Sequence, residues 1–347
     1  MQSGTRPLSQ KKEGIMKPGH SRKRTTLVGM TVVLAIGLAA CSSGGKPATT
    51  ASAASGGQVA TTKRFTIAMV THESPGDSFW DKIRAGAQAT AAKDNIDLKY
   101  SADPDAGKQA GLIQAAIASK VDGLATTLAT PAALAGAVKA ALAAGIPTIA
   151  FNSGIDQYKS TGALMYFGSD ENLAGLTAGN RITAEGGKKV LCVIQAQGSV
   201  ALEARCAGVK KGAPNTENIN VNGTDIASTT STITAKLQQD PSIDTVVTLG
   251  APIAMAALTS LTQANSKAKV VTFDLNADAA KAIQSGKIDF SIDQQPYLQG
   301  YEAVDSLWLY LTNRNELGGG LPVLTGPSFV DKTNIGAIAP YAAKNTR

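Results

Sequence analysis

Acidic, aromatic and histidine side chains are concentrated in one short segment of the chain. His72 and Glu73 are followed by Asp77, and Phe79 and Trp80 come directly afterwards. Aromatic rings pack against the C–H face of a sugar, whereas carboxylates accept hydrogen bonds from its hydroxyl groups. We therefore expect this segment to contact a small polyhydroxylated ligand, with His72 as a further polar contact.

The elements on either side place this segment at the edge of a sheet. Thr66–Val70 predicts a buried strand, Ser74–Asp77 predicts a turn, and Phe79, Ile83 and Ala87 recur at helical spacing. In open α/β sheets the ligand crevice lies outside the carboxyl ends of the strands. The loop between strand and helix is therefore expected to face such a crevice.

Some of these side chains have a second interpretation. Asp77 would equally cap the helix that follows, and Phe79 suits the helix core as well as the cleft. Trp80 lies off that apolar stripe, so we favour it for stacking on a ligand. His72 is the only histidine after His20, and no second His or Cys stands at metal spacing, so we expect neither a metal nor a cofactor.

Strand and helix patterns alternate along most of the chain, which is typical of parallel sheets covered by helices on both faces. About 280 residues follow the amino-terminal region, and this length favours two α/β domains over one. The alternation of strand and helix patterns breaks at 165–170 and again at 294–296, and we interpret these two positions as crossovers between domains. The predicted strands are Phe65–Val70, Ile96–Tyr100, Gly123–Thr127, Pro147–Phe151, Lys189–Ile194, Val221–Ile226, Thr245–Leu249, Val270–Phe273 and Ile288–Ile292.

The amino-terminal region has the pattern of an export signal. A basic patch precedes a short apolar run, Leu27–Gly37, which ends at Leu38-Ala39-Ala40-Cys41. This tetrapeptide resembles the bacterial lipobox, in which the cysteine becomes the lipidated first residue. We predict a lipoprotein signal peptide over 1–40, starting at Met1 or Met16, and an Ala/Ser/Thr/Gly-rich tether over 41–63.

The basic character of the chain comes from this signal. The chain has 33 Lys and Arg against 26 Asp and Glu, and residues 1–40 contain seven of these bases and one of the acids. The remainder is therefore close to neutral. Nothing in the charge favours nucleic-acid binding, and we expect none.

The positions of the three cysteines are consistent with export. Cys41 is assigned to the lipid, which leaves Cys192 and Cys206 in an oxidising compartment where a disulfide can persist. Either a disulfide or two buried thiols fits this spacing.

From about residue 64 to 335 the chain resembles the periplasmic sugar-binding proteins of the ribose-binding type, which are substrate-binding lipoproteins of ABC importers. Each motif is weak alone, but six occur in the expected order. They are Phe79-Trp80, Ala144-Gly145-Ile146-Pro147, Phe167-Gly168-Ser169-Asp170, Glu203-Ala204-Arg205-Cys206-Ala207-Gly208, Val271-Thr272-Phe273-Asp274 and Ile292-Asp293-Gln294-Gln295-Pro296-Tyr297.

The resemblance implies a type I periplasmic binding fold, with two doubly wound, Rossmann-like parallel-sheet domains joined by a three-strand hinge. The amino-terminal lobe would comprise 64–167 plus 296–325, and the carboxy-terminal lobe 168–295 plus 326–340. The third crossing would fall at Leu324–Pro327. Ligand contacts to both lobes would drive hinged closure.

The resemblance also implies which strand ends contact ligand. Asp77, Phe79 and Trp80 match the first loop, and the other matching positions are Asn152, Arg205, Asp274 and Gln294. Asn152-Ser153 stands where the family often carries Asp followed by Arg, and Gly250-Ala251-Pro252 replaces a polar contact. We therefore expect a ligand other than ribose, with room for a bulkier one. The alternatives are an ion pair between Arg205 and Asp274, and a hinge amide at Gln294.

The resulting hypothesis is a monomeric binding protein, anchored to the outer face of the bacterial cytoplasmic membrane through Cys41, that delivers a sugar, polyol or cyclitol to an ABC permease and its ATPase. A sensory module feeding a receptor or kinase is the alternative. We expect no enzyme activity, because the chain lacks nucleophile-elbow and phosphate-loop motifs. Paired carboxylates at Glu203 and Asp274, as in a glycosidase, remain a distant alternative.

Overall fold

The computed structural model describes residues 60–347. The predicted signal peptide, Cys41 and residues 41–59 of the tether lie outside the described residues. Within residues 60–347, no helix is both long enough and apolar enough to span a membrane.

Strands and helices alternate through the described chain. The strands are β1 Thr66–Thr71, β2 Asp97–Ala102, β3 Gly123–Thr127, β4 Thr148–Phe151, β5 Tyr166–Ser169, β6 Val190–Ile194, β7 Thr216–Asn220, β8 Thr245–Thr248, β9 Lys269–Phe273, β10 Phe290–Asp293, β11 Val323–Gly326 and β12 Ser328–Asp331. The helices are α1 Phe79–Lys93, α2 Ala106–Ala118, α3 Pro131–Ala143, α4 Tyr158–Thr161, α5 Glu171–Ala184, α6 Val200–Gly212, α7 Ile226–Gln239, α8 Ala251–Gln263, α9 Ala277–Gln284, α10 Pro296–Asn313 and α11 Ile335–Ala342.

The strands form two six-stranded sheets with the same strand order. The first sheet has the order β11-β5-β4-β3-β1-β2, and the second has the order β12-β10-β9-β8-β6-β7. All neighbours are parallel except β12, which runs antiparallel to β10. We call the two sheets, with the helices packed on them, the first lobe and the second lobe. The predicted fold class, two parallel-sheet α/β domains, is confirmed.

Burial on both faces explains the sequences of the central strands. Ile67–Val70 in β1 and all of β3, β4, β6 and β8 are buried. Helices cover both sides of a parallel sheet, so its inner strands are continuously apolar rather than alternating. Polar groups therefore become accessible only where these strands end.

Glycines bring one helix pair in each lobe into backbone contact. A Cβ added at Gly86 of α1 would lie 2.0 Å from the Tyr297 carbonyl oxygen of α10, and one at Gly300 would lie 2.0 Å from the Ile83 oxygen. In the second lobe, a Cβ at Gly175 of α5 would lie 2.1 Å from the Arg205 oxygen of α6. Because α1 and α6 carry predicted site residues, these contacts fix them against their own lobes.

The chain passes between the lobes three times. It leaves the first sheet after β5, returns between β10 and α10, and crosses again between β11 and β12 through a cis Gly326-Pro327 bond. The first crossing begins after Ser169, because Tyr166–Ser169 still pairs with β4 and β11. The second crossing lies between Asp293 and Pro296.

One predicted strand is wrong. Val221–Ile226 contains no strand, and the neighbouring strand β7 is Thr216–Asn220. β7 is an edge strand with exposed polar residues, so its sequence lacks the apolar run that marks an inner strand. The apolar ends of the predicted segment flank a turn, after which Asp225 caps α7 by accepting a hydrogen bond from the Ser228 N–H at 2.9 Å.

Candidate functional site

His72 joins the carboxyl ends of β1 and β3. Its Nδ1 lies 2.7 Å from Thr127 Oγ1, which also accepts hydrogen bonds from the His72 backbone N–H and from Gln109 Nε2, both at 3.1 Å. A hydroxyl that already accepts twice has its proton left to donate, so it donates to Nδ1. Burial lowers the pKa of His72 to about 4. The ring is therefore neutral and carries its proton on Nε2.

We expected Trp80 to be more available to a ligand than Phe79, but Trp80 is the more buried of the two. Trp80 is only 4% exposed and belongs to the core with Ile83, whereas Phe79 is half-buried. Their rings meet edge to face at 5.2 Å, and the His72 ring lies 4.8 Å from Trp80. Trp80 precedes Ile83 by three residues, so it shares that helix face. Its stacking on a ligand stays a prediction.

Asp77 makes a contact at the start of α1. Its Oδ1 accepts a hydrogen bond from the Phe79 N–H at 3.0 Å, while Ser78, the N-cap residue, makes no side-chain cap. Burial raises the pKa of Asp77. Asp77 therefore satisfies one of the free N–H groups of the helix, as the capping interpretation requires.

Lys82 is a buried cation that sequence reasoning missed. Its side chain is fully buried, and Nζ donates a hydrogen bond to the Ser78 carbonyl at 3.1 Å. Burial lowers the pKa of Lys82, and the nearby carboxylates of Asp274 and Asp81 oppose that shift. A lysine four residues before Gly86 shares the face by which α1 packs on α10, and this spacing was the available signal.

Arg205 is held by a carboxylate that sequence reasoning also missed. Its Nε and Nη2 donate to the two Glu171 oxygens at 2.5 and 3.0 Å, and Nη1 donates to the Leu249 carbonyl at 3.1 Å. Both side chains are buried, and the guanidinium lies 4.7 Å from the centre of the Phe273 ring. Three of its five N–H groups are therefore engaged within the lobe.

Asp274 ends β9 with a carboxylate that is only partly satisfied. Its Oδ2 accepts a hydrogen bond from Gln294 at 3.2 Å and lies 3.7 Å from Arg205 Nη1. Its Oδ1 is buried and has no hydrogen-bond partner within residues 60–347. Burial raises the pKa of Asp274 to about 7, an effect that Arg205 opposes and Asp293 reinforces.

Gln294 links this carboxylate to the first lobe. Its Oε1 accepts hydrogen bonds from Asn152 Nδ2 at 3.3 Å and from Gln299 Nε2 at 2.9 Å. Asn152, at the end of β4, has a left-handed φ of 65° and is buried. The predicted residues Asn152, Gln294 and Asp274 thus form one hydrogen-bonded chain across the second crossing. These hydrogen bonds are the ones expected if Gln294 is a hinge amide. They do not involve Asp274 Oδ1, so that oxygen can still accept a hydrogen bond from a ligand.

Contacts also join the lobes away from this chain. The Val200 N–H at the start of α6 donates to the carbonyl of Ala129, which follows β3, at 3.1 Å. Arg347 donates to Asp293 Oδ2 at 2.5 Å and to Gln295 Oε1 at 2.8 Å, so it ties the end of β10 to the start of α10. Nothing in the sequence pattern distinguished Arg347.

Cys192 and Cys206 form a disulfide with Cα atoms 5.9 Å apart. The bridge connects β6 to α6, directly beside Arg205. It therefore fixes the helix that carries the buried cation.

The arrangement is suited to binding rather than to catalysis. Glu203 is exposed on α6 while Asp274 is buried, so the two do not form a carboxylate pair in one site. No group of three His, Cys, Asp or Glu in the described part of the chain is arranged to hold a metal. Strand ends from both lobes instead present buried polar groups beside aromatic rings.

Comparison with known proteins gives consistent matches. Residues 67–315 match the family model described as a periplasmic binding protein domain. The crystal structure of a carbohydrate transporter from Acidothermus cellulolyticus 11B, in complex with myo-inositol, is 57% identical, and the match covers 82% of this chain and 100% of that one with a TM-score of 0.81.

Two curated relatives are more distant. The xylose/arabinose-binding protein XylF of Sulfolobus acidocaldarius is 27% identical over 241 residues, which are 64% of this chain and 60% of that protein. The ribose import binding protein RbsB of Bacillus subtilis is 26% identical over 250 residues, which are 70% of this chain and 81% of that protein. The chain therefore spans less than two thirds of the XylF length.

Proposed function

Since this chain belongs to the periplasmic binding protein domain family, we propose that it captures a small polyhydroxylated ligand between its lobes for import by an ABC transporter. The observation that carries this proposal is Asp274, whose buried Oδ1 lacks a partner in residues 60–347 while its Oδ2 is linked through Gln294 to the other lobe. A ligand hydroxyl donated to Oδ1 would satisfy it.

A cyclitol is the ligand class that we favour. The relative that is 57% identical was crystallised with myo-inositol, and it matches this chain over the whole of its own length. Asn152-Ser153 and Gly250 depart from the ribose-type pattern, which supports a ligand other than ribose. The remaining contacts proposed for this ligand are Asp77, Phe79, Trp80, Asn152, Arg205, Gln294 and His72.

We further propose that the chain is exported and anchored by a lipid on Cys41, on the outer face of the cytoplasmic membrane. The lipobox-like Leu38-Ala39-Ala40-Cys41 and the tether composition support this. From there it would act as a monomer that delivers ligand to a permease with its ATPase.

Calorimetric titration and thermal shift against myo-inositol, pentoses, hexoses, alditols and nucleosides test the proposal. A ligand that binds only the native state raises its stability by about 2.7 kcal/mol at a hundredfold excess over Kd. We expect the largest shift with a cyclitol. A folded protein that responds to no member of the panel would contradict ligand capture, and a response to pentoses alone would contradict the cyclitol assignment.

A further inference from the structure

Gln195 lies at the carboxyl end of β6 and has an unusual environment. Its Oε1 is buried and has no hydrogen-bond partner among residues 60–347. A buried amide oxygen without a partner loses a free energy comparable to a hydrogen bond, so such a group in a binding protein points to a missing donor. Neither the family match nor our sequence prediction assigns a role to this residue.

Gly250 provides the space in which the Gln195 amide lies. The φ of Gly250 is −171°, an extended conformation open to any residue, so the backbone does not require glycine here. A Cβ at this position would stand 3.1 Å from Gln195 Nε2, and its next neighbour, Pro252, is 4.0 Å away. The space left by the missing side chain of Gly250 is therefore bordered by the amide of Gln195.

Gly223 also lies close to the Gln195 side chain. A Cβ at Gly223 would lie 2.8 Å from the Cβ of Gln195 and 3.1 Å from its Cγ. Gly223 follows β7 and Gly250 follows β8, the two strands that flank β6 in the sheet. The absence of a side chain at both glycines thus leaves the space in which the Gln195 side chain lies.

Strand order places Gln195 in line with Asp274. β9, β8 and β6 are consecutive neighbours; Asp274 and Gln195 directly follow β9 and β6, and Gly250 lies two residues after β8. Two strand spacings, about 10 Å in all, separate the ends of β9 and β6. Asp274 Oδ1 and Gln195 Oε1 are both buried acceptors without partners in the described chain. The edge of the second lobe therefore presents two acceptors with a glycine between them.

We propose that Gln195 is a specificity-determining ligand contact whose Oε1 accepts a hydrogen bond from a second hydroxyl of the ligand that Asp274 binds. This inference rests on the proposed function and narrows its ligand class. Each ring carbon of a cyclitol carries a hydroxyl donor, whereas the ring oxygen of a pyranose can only accept. Two acceptors along one edge can therefore be satisfied by a cyclitol in any in-plane orientation, but by an aldopyranose only in orientations that keep its ring oxygen away from both, which favours the cyclitol.

Titration calorimetry of the full chain with myo-inositol and with D-glucose tests this assignment. Gln195→Leu keeps the approximate shape of the side chain and removes the amide, so we expect its affinity for myo-inositol to fall by roughly tenfold or more. Gln197→Leu, in the same loop but exposed, is the matched control and should bind as the wild type does. The preference for myo-inositol over glucose should also narrow in Gln195→Leu.

Gly250→Ala provides a second, independent variant. It retains Gln195 but forces its amide to shift by a few tenths of an ångström, so we expect a smaller loss of affinity. Wild-type affinity in both Gln195→Leu and Gly250→Ala would overturn the inference while leaving the proposed function intact. A wild-type protein that binds no polyol would overturn both.

Discussion

The two lobes share one strand order but present different chemistry at their strand ends. The first lobe contributes His72, Phe79 and Trp80, of which the histidine is neutral and the rings pack on one another. The second lobe contributes a buried ion pair, Arg205 with Glu171, beside Asp274. The same strand order therefore places packed aromatic rings in one lobe and a buried ion pair in the other.

This difference indicates which kind of ligand contact each lobe would contribute. The charges of the second lobe are already paired with one another, and a disulfide holds the helix that carries Arg205. A preorganised polar site can orient hydroxyl groups without reorganising when the ligand arrives. The aromatic side, by contrast, contributes contact area with little directionality. We therefore expect polar substitutions to act mainly through the second lobe.

The largest expected effect comes from breaking the charge pair of the second lobe. Arg205→Ala leaves Glu171 buried without its cation, so we expect a loss of about 3 to 5 kcal/mol in unfolding free energy together with loss of ligand binding. Urea denaturation and calorimetry measure the two effects.

The double substitution Arg205→Met with Glu171→Leu is the control. Removing both charges avoids the unpaired carboxylate, so stability should return while binding should not. An Arg205→Ala protein as stable as the wild type would show that the charge pair does not support the second lobe.

In the first lobe, stability should follow burial of the aromatic rings. Trp80→Ala removes a side chain that is 4% exposed, which we expect to lower the unfolding free energy by about 3 to 4 kcal/mol. Phe79→Ala, on the adjacent and more exposed ring, is the matched comparison and should cost clearly less. Denaturation of both variants checks this order, and a larger loss for Phe79→Ala would reverse the assignment of core and surface.

The disulfide should affect the second lobe selectively. The bridge closes a segment with a sequence separation of 14, for which removal costs about 2 to 3 kcal/mol. Replacing Cys192 and Cys206 by alanine should therefore accelerate hydrogen exchange in β6 and α6 but leave α1 and β1 unchanged. Equal acceleration in both lobes would show that the lobes unfold as one unit.

Sequence periodicity was sufficient for most inner strands, but it missed the inner strand β5 and the edge strands β11 and β12, and it misplaced the edge strand β7. Inner strands are buried on both faces, so their apolar runs are continuous and their positions are predictable from sequence. β7 reads Thr-Glu-Asn-Ile-Asn, and its polar residues are acceptable only because it forms the edge of the sheet. Because Val221 and Ile226 are apolar, the strand was predicted a few positions too far along the chain.

The candidate site was predictable where a residue ends a strand and unpredictable where it depends on a distant partner. Asp274 and Asn152 directly follow predicted strands, so their positions at the cleft follow from topology. Glu171 and Lys82 sit on helices, where a charged residue normally faces solvent. The burial of Glu171 depends on its contact with Arg205, which periodicity does not encode, whereas the only sequence signal for Lys82 is its position one turn before Gly86 on the face that packs on α10.

The two lobes should also differ in how their stability depends on pH, because His72 in the first lobe and Asp274 in the second are buried and their pKa values are shifted in opposite directions. His72 has a folded pKa of about 4, below its ordinary value, so the unfolded chain binds more protons and stability rises with pH up to about 6.5. Asp274 has a folded pKa of about 7, above its ordinary value. The folded protein then holds the extra proton, and this contribution to stability falls as pH rises from about 4 to 7.

Two variants isolate these slopes in the ligand-free protein, each by subtraction from the wild type. Relative to Asp274→Asn, the wild type should lose stability between pH 4 and 7, and relative to His72→Gln it should gain stability between pH 4 and 6.5. Neither slope exceeds about 1.4 kcal/mol per pH unit, because each group exchanges a single proton. Denaturation at half-unit pH steps measures both. Two difference curves whose slopes have the same sign would show that the pKa values of His72 and Asp274 are not shifted in opposite directions, and this contrast between the lobes would then fail.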